Sequence, residues 1–553
     1  MEMRLLLAFV LMGLVLFLTP YIYKPPPVLK PTTPPLKPSQ AVALTQKPVE
    51  TAPAKAEIVP APEAPGRVAA ETQQTFDVDT TLYHIKFSNH GGTVVSWILK
   101  KFHYQTGKAT DQPLELVNQT SLGKVPAPFS LWMKDDKTAS LLNYAYFVGK
   151  KSEDGLGVDF EFSDGKTVAK KSFRFAKDSY LSQFQSEVTQ NGVGVPSLIE
   201  WRGGFGDLNV LNRQQAQHSV YYDLSNSKLV TKDAKAAKDG MITASGNYSF
   251  AGLDDTFFAF VVLPKDNTST EVVTMKDDLY WELSKKDEPH VGMAVGGDVN
   301  DRFSMYVGPK DVDILAKVDP KLQQLIDWGW FWFIAKPLFQ ALHYVNDQLL
   351  HNYGWSIVLI TIGINLLLLP LRLSSMKSAR KMQALQPQIA AINAKYKSVK
   401  LNDPKKAEQN QEIMDLYSKH GANPLGGCLP MVIQLPMVYA FYRVLNVSIE
   451  LRGAHWLWVT DLSQPETLPI RLLPIIMIVT QFIMQKITPN PSMDPAQAKI
   501  MQFMPLMFGF FFYSFPSGLV LYWLTGNLVG IAQQYLINKY TPAPVVEAPK
   551  KKK

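Results

Sequence analysis

Cysteine is almost missing from this chain of 553 residues: there is one, Cys428, so no intrachain disulfide can form. It sits in an apolar stretch without a companion, which removes a redox pair or thiolate metal site and leaves a small residue packing between helices. The motifs of common enzymes are missing as well. There is no H-E-x-x-H, no G-x-S-x-G and no Walker A run, and GGFGD at 203–207 lacks a strand–turn–helix setting and reads as a turn. Ser517 in FPSGL has no nearby histidine to activate it, and His343, His351 and His455 lack metal-ligand spacing. These absences argue against catalytic residues, a metal or a cofactor.

Overall composition, 46% hydrophobic and 19% charged, hides a partition. Residues 5–18, LLLAFVLMGLVLFL, follow Arg4 and run on apolar to about Tyr23. This is either a cleaved signal peptide or a retained anchor. No A-x-A-like site follows, which favours a signal anchor over 1–23. Residues 24–70 are dense in proline, as in PPPVLKPTTPPLKP, and act as an extended spacer. From 71 to 318 the pattern alternates as strands do, in FDVDTTLYHIKF, GTVVSWILKKF, GVDFEFS, KSFRFA, DTFFAFVVL and FSMYVG, with turns such as NHGGT and SDGKT between. Many short strands with polar turns predict an all-β sandwich or barrel.

Residues 319–352 predict an amphipathic interfacial helix. Phe331, Ile334, Leu338, Leu342, Val345 and Leu349 recur every three or four positions, and Trp328, Trp330 and Trp332 crowd its start. Five apolar spans follow at about 355–373, 424–445, 469–487, 501–515 and 518–537, within a core of 353–540. Each is near the roughly 20 residues needed to cross a bilayer, though the fourth is short. Net charge is +8, from 56 Lys and Arg against 48 Asp and Glu. Ten basic and four acidic residues fall in 372–420, and 541–553 ends in lysines. By the positive-inside rule these segments are cytoplasmic, which places both termini inside and the β domain across the membrane.

The loop 374–421 predicts an antiparallel helical hairpin. Met382, Leu385, Ile389, Ile392, Tyr396 and Val399 form a coiled-coil stripe, Asp403 and Pro404 open the second helix, and Gly421 caps it after His420. Its basic side chains, with Arg372 at the span end, are Lys377, Arg380, Lys381, Lys395, Lys397, Lys405 and Lys406. They form either a solvated face or a docking arm for a negatively charged partner such as a ribosome. No recognition of a specific nucleic-acid sequence is implied.

The span cores hold no Asp, Glu or Lys, so a proton relay or tight ion site lacks its usual ligands. They do hold Thr361, Asn365, Gln434, Gln481, Gln485, Tyr522, Trp523 and Asn527. Thr361 and Asn365 share a helix face, as do Gln481 and Gln485. Such groups either glue helices together or wet a groove. For Thr361 and Asn365, which point the way of the basic end of their span, the groove is favoured.

NPLGGCLP at 423–430, PSGLVLYW at 516–523 and the loop ELRGAHWLWVTDLS at 450–463 strongly resemble the YidC/Oxa/Alb insertases. The layout of anchor, spacer, large β domain and five-span core with a basic hairpin is similar to the Gram-negative YidC type. The resemblance implies a non-enzymatic insertase and folding chaperone in the inner membrane. It would take newly made membrane proteins, alone or with the Sec translocon, and contact the ribosome or signal-recognition machinery. It implies a β-supersandwich similar to sugar-binding enzyme domains, and a core groove open to cytoplasm and lipid. The family carries a basic residue in that groove, five positions before the proline that is Pro370 here. This chain has Asn365 there. A second reading, a small-solute transporter or channel with a glycan-binding β domain, would need inverted repeats and intramembrane acids, and neither is present.

Overall fold

The computed structural model describes residues 66–104, 112–208, 217–264, 269–281, 285–396, 405–421, 429–487, 503, 505–507, 509–510 and 512–540. The expected anchor, most of the spacer, Lys397, Val399, Asp403, Pro404, Cys428, much of the fourth span and the lysine tail lie outside these residues.

The alternating segments pair into three antiparallel sheets. An eleven-stranded sheet runs from Arg67–Val68 through Gly157–Asp164, Thr167–Arg174, Leu181–Gln190, Asn300–Pro309, Phe258–Pro264, Tyr248–Asp254 and His218–Asp223 to Lys228–Lys232, with two short strands beside this path. Five strands form a second sheet in the order Ile242–Gly246, Thr270–Trp281, Lys286–Gly296, Leu198–Trp201 and Ser130–Trp132. Thr75–Asp79, Tyr83–Ser88, Thr93–His103 and Pro113–Glu115 make a third. Strand Thr167–Arg174 shows why the sheets stack: Thr167, Ala169, Lys171 and Phe173 are buried while Lys170 and Arg174 are exposed, the period-two alternation of a half-covered strand. Between the layers Phe129, Phe173, Phe184, Trp201 and Phe260 contact one another at centroid distances of 4.9–6.0 Å. The buried Lys171 enters this interior, where its Nζ donates to the carbonyls of Gly91 (2.6 Å) and Phe129 (2.7 Å).

Helices α1 (Asp136–Tyr144) and α2 (Val312–Val318) belong to the β domain. Its apolar cluster also takes in Leu322, Leu325 and Ile326, beyond residue 318, and Val447 and Ile449 from the helical region. The helical region comprises α3 (Trp332–Val345), α4 (Tyr353–Leu367), α5 (Leu369–Ala384), α6 (Gln386–Lys395), α7 (Lys405–Lys419), α8 (Leu429–Val447), α9 (Leu472–Ile487) and α10 (Ser517–Tyr540). The expected helix over 319–352 is shorter. A 3-10 turn covers Pro320–Leu325, and α3 buries Ala335, Leu338, Phe339, Leu342 and Val345 while Trp330, Trp332, Phe333 and Leu349 stay exposed. Among the described residues no single helix is long and apolar enough to cross a membrane. The pair Trp332–Leu350 and Tyr353–Leu367 passes that test together, bent by 117°. His351 makes the bend in the left-handed region (φ 51°), and Asn352 caps α4 through the Trp355 N–H.

Helices α3, α4, α8, α9 and α10 share one apolar core that includes Leu342, Ile357, Phe441, Val444, Met477, Leu521 and Tyr522. The outward face of α9 is apolar as well: Ile475, Ile476, Val479 and Ile483 are exposed at spacings of three and four. A stripe of that kind marks contact with something other than water. In the hairpin, Met382, Leu385, Ile389 and Tyr417 are buried together. Lys381 Nζ donates to the Gly421 carbonyl at one end and Gln409 Nε2 to Asn393 Oδ1 at the other, so the arms run antiparallel. The first arm is two helices, α5 and α6, divided at Leu385 just before Pro387.

Candidate functional site: a cavity between helices

The segment expected as one span over 355–373 is interrupted at Leu368 (φ −83°, ψ −2°), where α4 ends and α5 begins. Pro370 is the physical reason, since it has no N–H to return to the Leu366 carbonyl. A cavity of about 120 Å³ opens beside this break. Asn365, Arg372, Gln434, Tyr522 and Trp523 line it together with Ile364, Leu368, Leu371, Met437 and Gly526. Its lining mixes apolar side chains with amide, guanidinium, phenol and indole groups, and it is roomy enough to hold several waters.

Asn365 and Arg372 are seven residues apart, two helical turns, and both reach the same cavity. The Asn365 amide nitrogen donates to the Thr361 carbonyl at 2.8 Å. From α10, Gln533 binds both neighbours of the break: its Oε1 accepts from Arg372 Nη1 at 2.9 Å and its Nε2 donates to the Asn365 carbonyl at 3.3 Å. Gly530, one turn earlier, leaves space for the guanidinium, because a Cβ there would lie 2.6 Å from Arg372 Nη2. Among the described residues no carboxylate forms an ion pair with Arg372. Its charge is held by an amide and turned to the cavity. Gln434 is exposed to this space from α8. On the side of α10 toward the β domain, the Tyr522 ring stacks on Phe441 at 4.1 Å and closes the space.

The other polar residues are placed differently. Thr361 is fully buried, its hydroxyl donating to the Ile357 carbonyl one turn back, so it does not line the cavity. Asn527 faces α9, where its amide donates to Thr480 Oγ1 (3.2 Å) and the Met477 carbonyl (3.4 Å). Gln481 accepts from Trp523 Nε1 at 3.3 Å and so borders the cavity through that ring, while Gln485 is partly buried one turn further along α9. The grouping of Arg372 and Arg380 with the outward basic hairpin needs correction. Arg372 is a cavity wall, and Arg380 is buried with its Nη2 donating to Asn538 Oδ1 of α10 at 2.6 Å. Both arginines thus bond to side chains of α10. Lys377, Lys381, Lys395 and Lys405 are exposed, and Lys395 pairs with Glu412 at 2.5 Å. Lys406 lies in α7, but its side chain is outside the described residues. Gln533 and Gly530 were missed in the sequence. Their signal was weak, a glutamine and a glycine near the polar end of the last helix.

Comparison with known proteins defines the class. The family described as "60Kd inner membrane protein" matches residues 345–544, and the family described as "YidC periplasmic domain" matches 75–341. The Membrane protein insertase YidC of Geotalea daltonii is 33% identical over 98% of this chain and 100% of that protein. That of Pelobacter propionicus is 33% identical over 98% of this chain and 99% of its own length. A crystal structure titled as an active YidC insertase with the first transmembrane domain resolved covers 85% of this chain and 95% of its own at 21% identity. Its TM-score is 0.36. The chain thus joins a β-sandwich periplasmic domain to a helical inner-membrane region. It belongs to the YidC family of membrane protein insertases, which is not an enzyme family.

Proposed function

We propose that the cavity between α4, α5, α8 and α10 shelters hydrophilic stretches of a newly made membrane protein while its apolar segment passes outward into lipid. An unpaired polar group in hydrocarbon costs several kcal/mol. A wet pocket part of the way across lowers that barrier, and amide groups both donate to and accept from a passing backbone. Arg372 supplies the positive charge that position 365 lacks, two turns nearer the cytoplasmic end. Acidic stretches are therefore captured closer to the entrance, and Asn365 handles uncharged polar groups deeper in. The observation that carries this reading is the convergence of Asn365, Arg372 and Gln434 on one cavity whose charge has no carboxylate partner among the described residues.

The same reading sets the finer organisation. Residues 1–23 anchor the chain, 24–70 space the β domain from the bilayer, and α3 lies at the periplasmic interface with its exposed tryptophans among headgroups. Five segments of 353–540 span the inner membrane, both termini are cytoplasmic, and the basic tail and the hairpin 374–421 meet the ribosome or signal-recognition machinery. Insertion proceeds alone or beside the Sec translocon. A photo-crosslinker placed at Asn365 and at Tyr522 during synthesis of a small membrane protein tests the central step. Adducts with the emerging chain are expected there and not at Leu367 or Val479, which face outward. Equal labelling at all four positions removes the cavity from the path.

A further inference from the structure

Two loops distant in sequence meet in one buried ion pair. Asp207 closes the GGFGD turn of the β domain, and Arg452 lies five residues beyond the end of α8. Both side chains are 2% exposed, with Arg452 Nη2 2.5 Å from Asp207 Oδ2. The same nitrogen donates to the His103 carbonyl at 2.9 Å, and the guanidinium sits 5.3 and 5.5 Å from the ring centroids of Phe257 and Phe258. A cation carried by the helical region is thus enclosed by β-domain groups.

The loop that carries Arg452 serves both cores. Ile449 is buried in the β-domain cluster, whereas Leu451, Trp456, Val459 and Leu462 are buried in the helical one. Its carbonyls at Leu462 and Gln464 accept from the N–H groups of Gly518 (2.9 Å) and Ser517 (2.8 Å) at the start of α10. Trp456 lies so close to α4 that a Cβ on Gly354 would be 2.2 Å from its Cδ1. The loop therefore covers the ends of α4, α8 and α10 far from Arg372. On the other side, Gly203, Gly204 and Gly206 adopt φ of +77°, +93° and +88°, conformations that favour glycine. A Cβ on Gly206 would lie 2.0 Å from Asp255 Oδ2, which accepts the Asp207 N–H at 2.6 Å. This close passage fixes Asp207 where Arg452 reaches it.

Arg452 Nε and Nη1 have no hydrogen-bond partner among the described residues, nor does Asp461 Oδ2 on the same loop. A buried pair left partly unsatisfied is a weak source of stability. We propose that Arg452 is a positioning residue: a latch that makes release of the β domain and opening of the loop over the helix ends one event. It goes beyond the cavity reading and can fail or hold without it.

The test uses the full chain in lipid nanodiscs on a Cys428→Ser background. Spin labels at Lys170→Cys and Lys486→Cys report the distance between β domain and helices, and hydrogen exchange reports the loop 448–463. Arg452→Met is expected to broaden the distance distribution and to raise exchange at Gly518 and the loop at least tenfold, both together. Arg452→Lys, which keeps the charge, is expected to retain most of the protection. Protection by methionine equal to that by lysine reduces Arg452 to a space-filling residue and overturns the latch, as does a broadened distance with an unchanged loop. Where Arg452→Met does not fold, the pair Arg452→Met with Asp207→Leu, which leaves no orphaned charge, is read by the same two criteria.

Discussion

The β domain and the helical region are built inside-out relative to each other. In the β domain the aromatic side chains point inward, with Trp97, Phe129, Phe173 and Trp201 at most 1% exposed, and lysines and acids cover the sheets. In the helical region α9 turns its isoleucines outward, while Asn365, Arg372, Gln434 and Gln533 meet on the inner side. The difference reports the solvent of each region. Where water is outside, burial of apolar area drives folding. Where hydrocarbon is outside, an apolar surface costs nothing and polar groups gather where they satisfy one another. Stability should therefore reside mainly in the interior of the first region, and function in the interior of the second.

Exchanging the two roles is the strongest way to break this contrast. Trp201→Ala empties a site walled by Trp97, Phe129, Phe205 and Phe260. We expect a loss of about 3–5 kcal/mol in stability of the β domain, read as a lower thermal midpoint of its sheet signal in the full chain. A loss below about 1 kcal/mol would mean the aromatic core is not the main support.

In the cavity the expectation reverses. Asn365→Leu should slow insertion of a client with a polar tail about tenfold, worth about 1.4 kcal/mol of barrier, with the melting of the helical region unmoved. Asn365→Arg should cost less, since it adds a donor to a wet wall. Equal insertion by all three proteins would remove Asn365 from the mechanism.

The smallest effect sharpens the contrast through pH. Burial pushes the Glu200, Asp255 and Asp301 carboxyls up to about 7. A carboxyl whose folded value exceeds its unfolded value holds its proton more tightly when folded. Its cost to stability is full above 7 and fades as pH falls toward the ordinary carboxylate range. Burial brings Lys171 down to about 7, and that cost decreases only as pH rises above 7. Between pH 7.5 and 5.5 the carboxyls dominate, so the β-domain transition should rise by roughly a few degrees. A fall over that interval would show that these groups are hydrated.

Much of the fold was legible because its signals are local. The predicted strands GTVVSWILKKF and GVDFEFS correspond to Thr93–His103 and Gly157–Asp164, since alternation with period two is a property of consecutive residues. The stripe Met382, Leu385 and Ile389 packs in the hairpin for a similar reason. The site was only half legible. Asn365, Gln434, Tyr522 and Trp523 could be singled out as polar or amphipathic residues in apolar runs. Nothing in the sequence told Asn527, which pairs with α9, from Asn365, which faces the cavity. Charge counting placed Arg372 with the loop, while its contact with Gln533, 161 positions away, turned it inward.

By itself, then, the sequence determined the partition of the chain: proline-rich spacer, alternating strands, apolar helices and a basic hairpin. These follow from composition and periodicity over a dozen residues. Only the tertiary structure decided which polar groups share a space, and that the GGFGD turn receives Arg452 from 245 positions away. Convergence of that kind depends on how helices and sheets pack against one another, and packing distances are not encoded in any single stretch of residues.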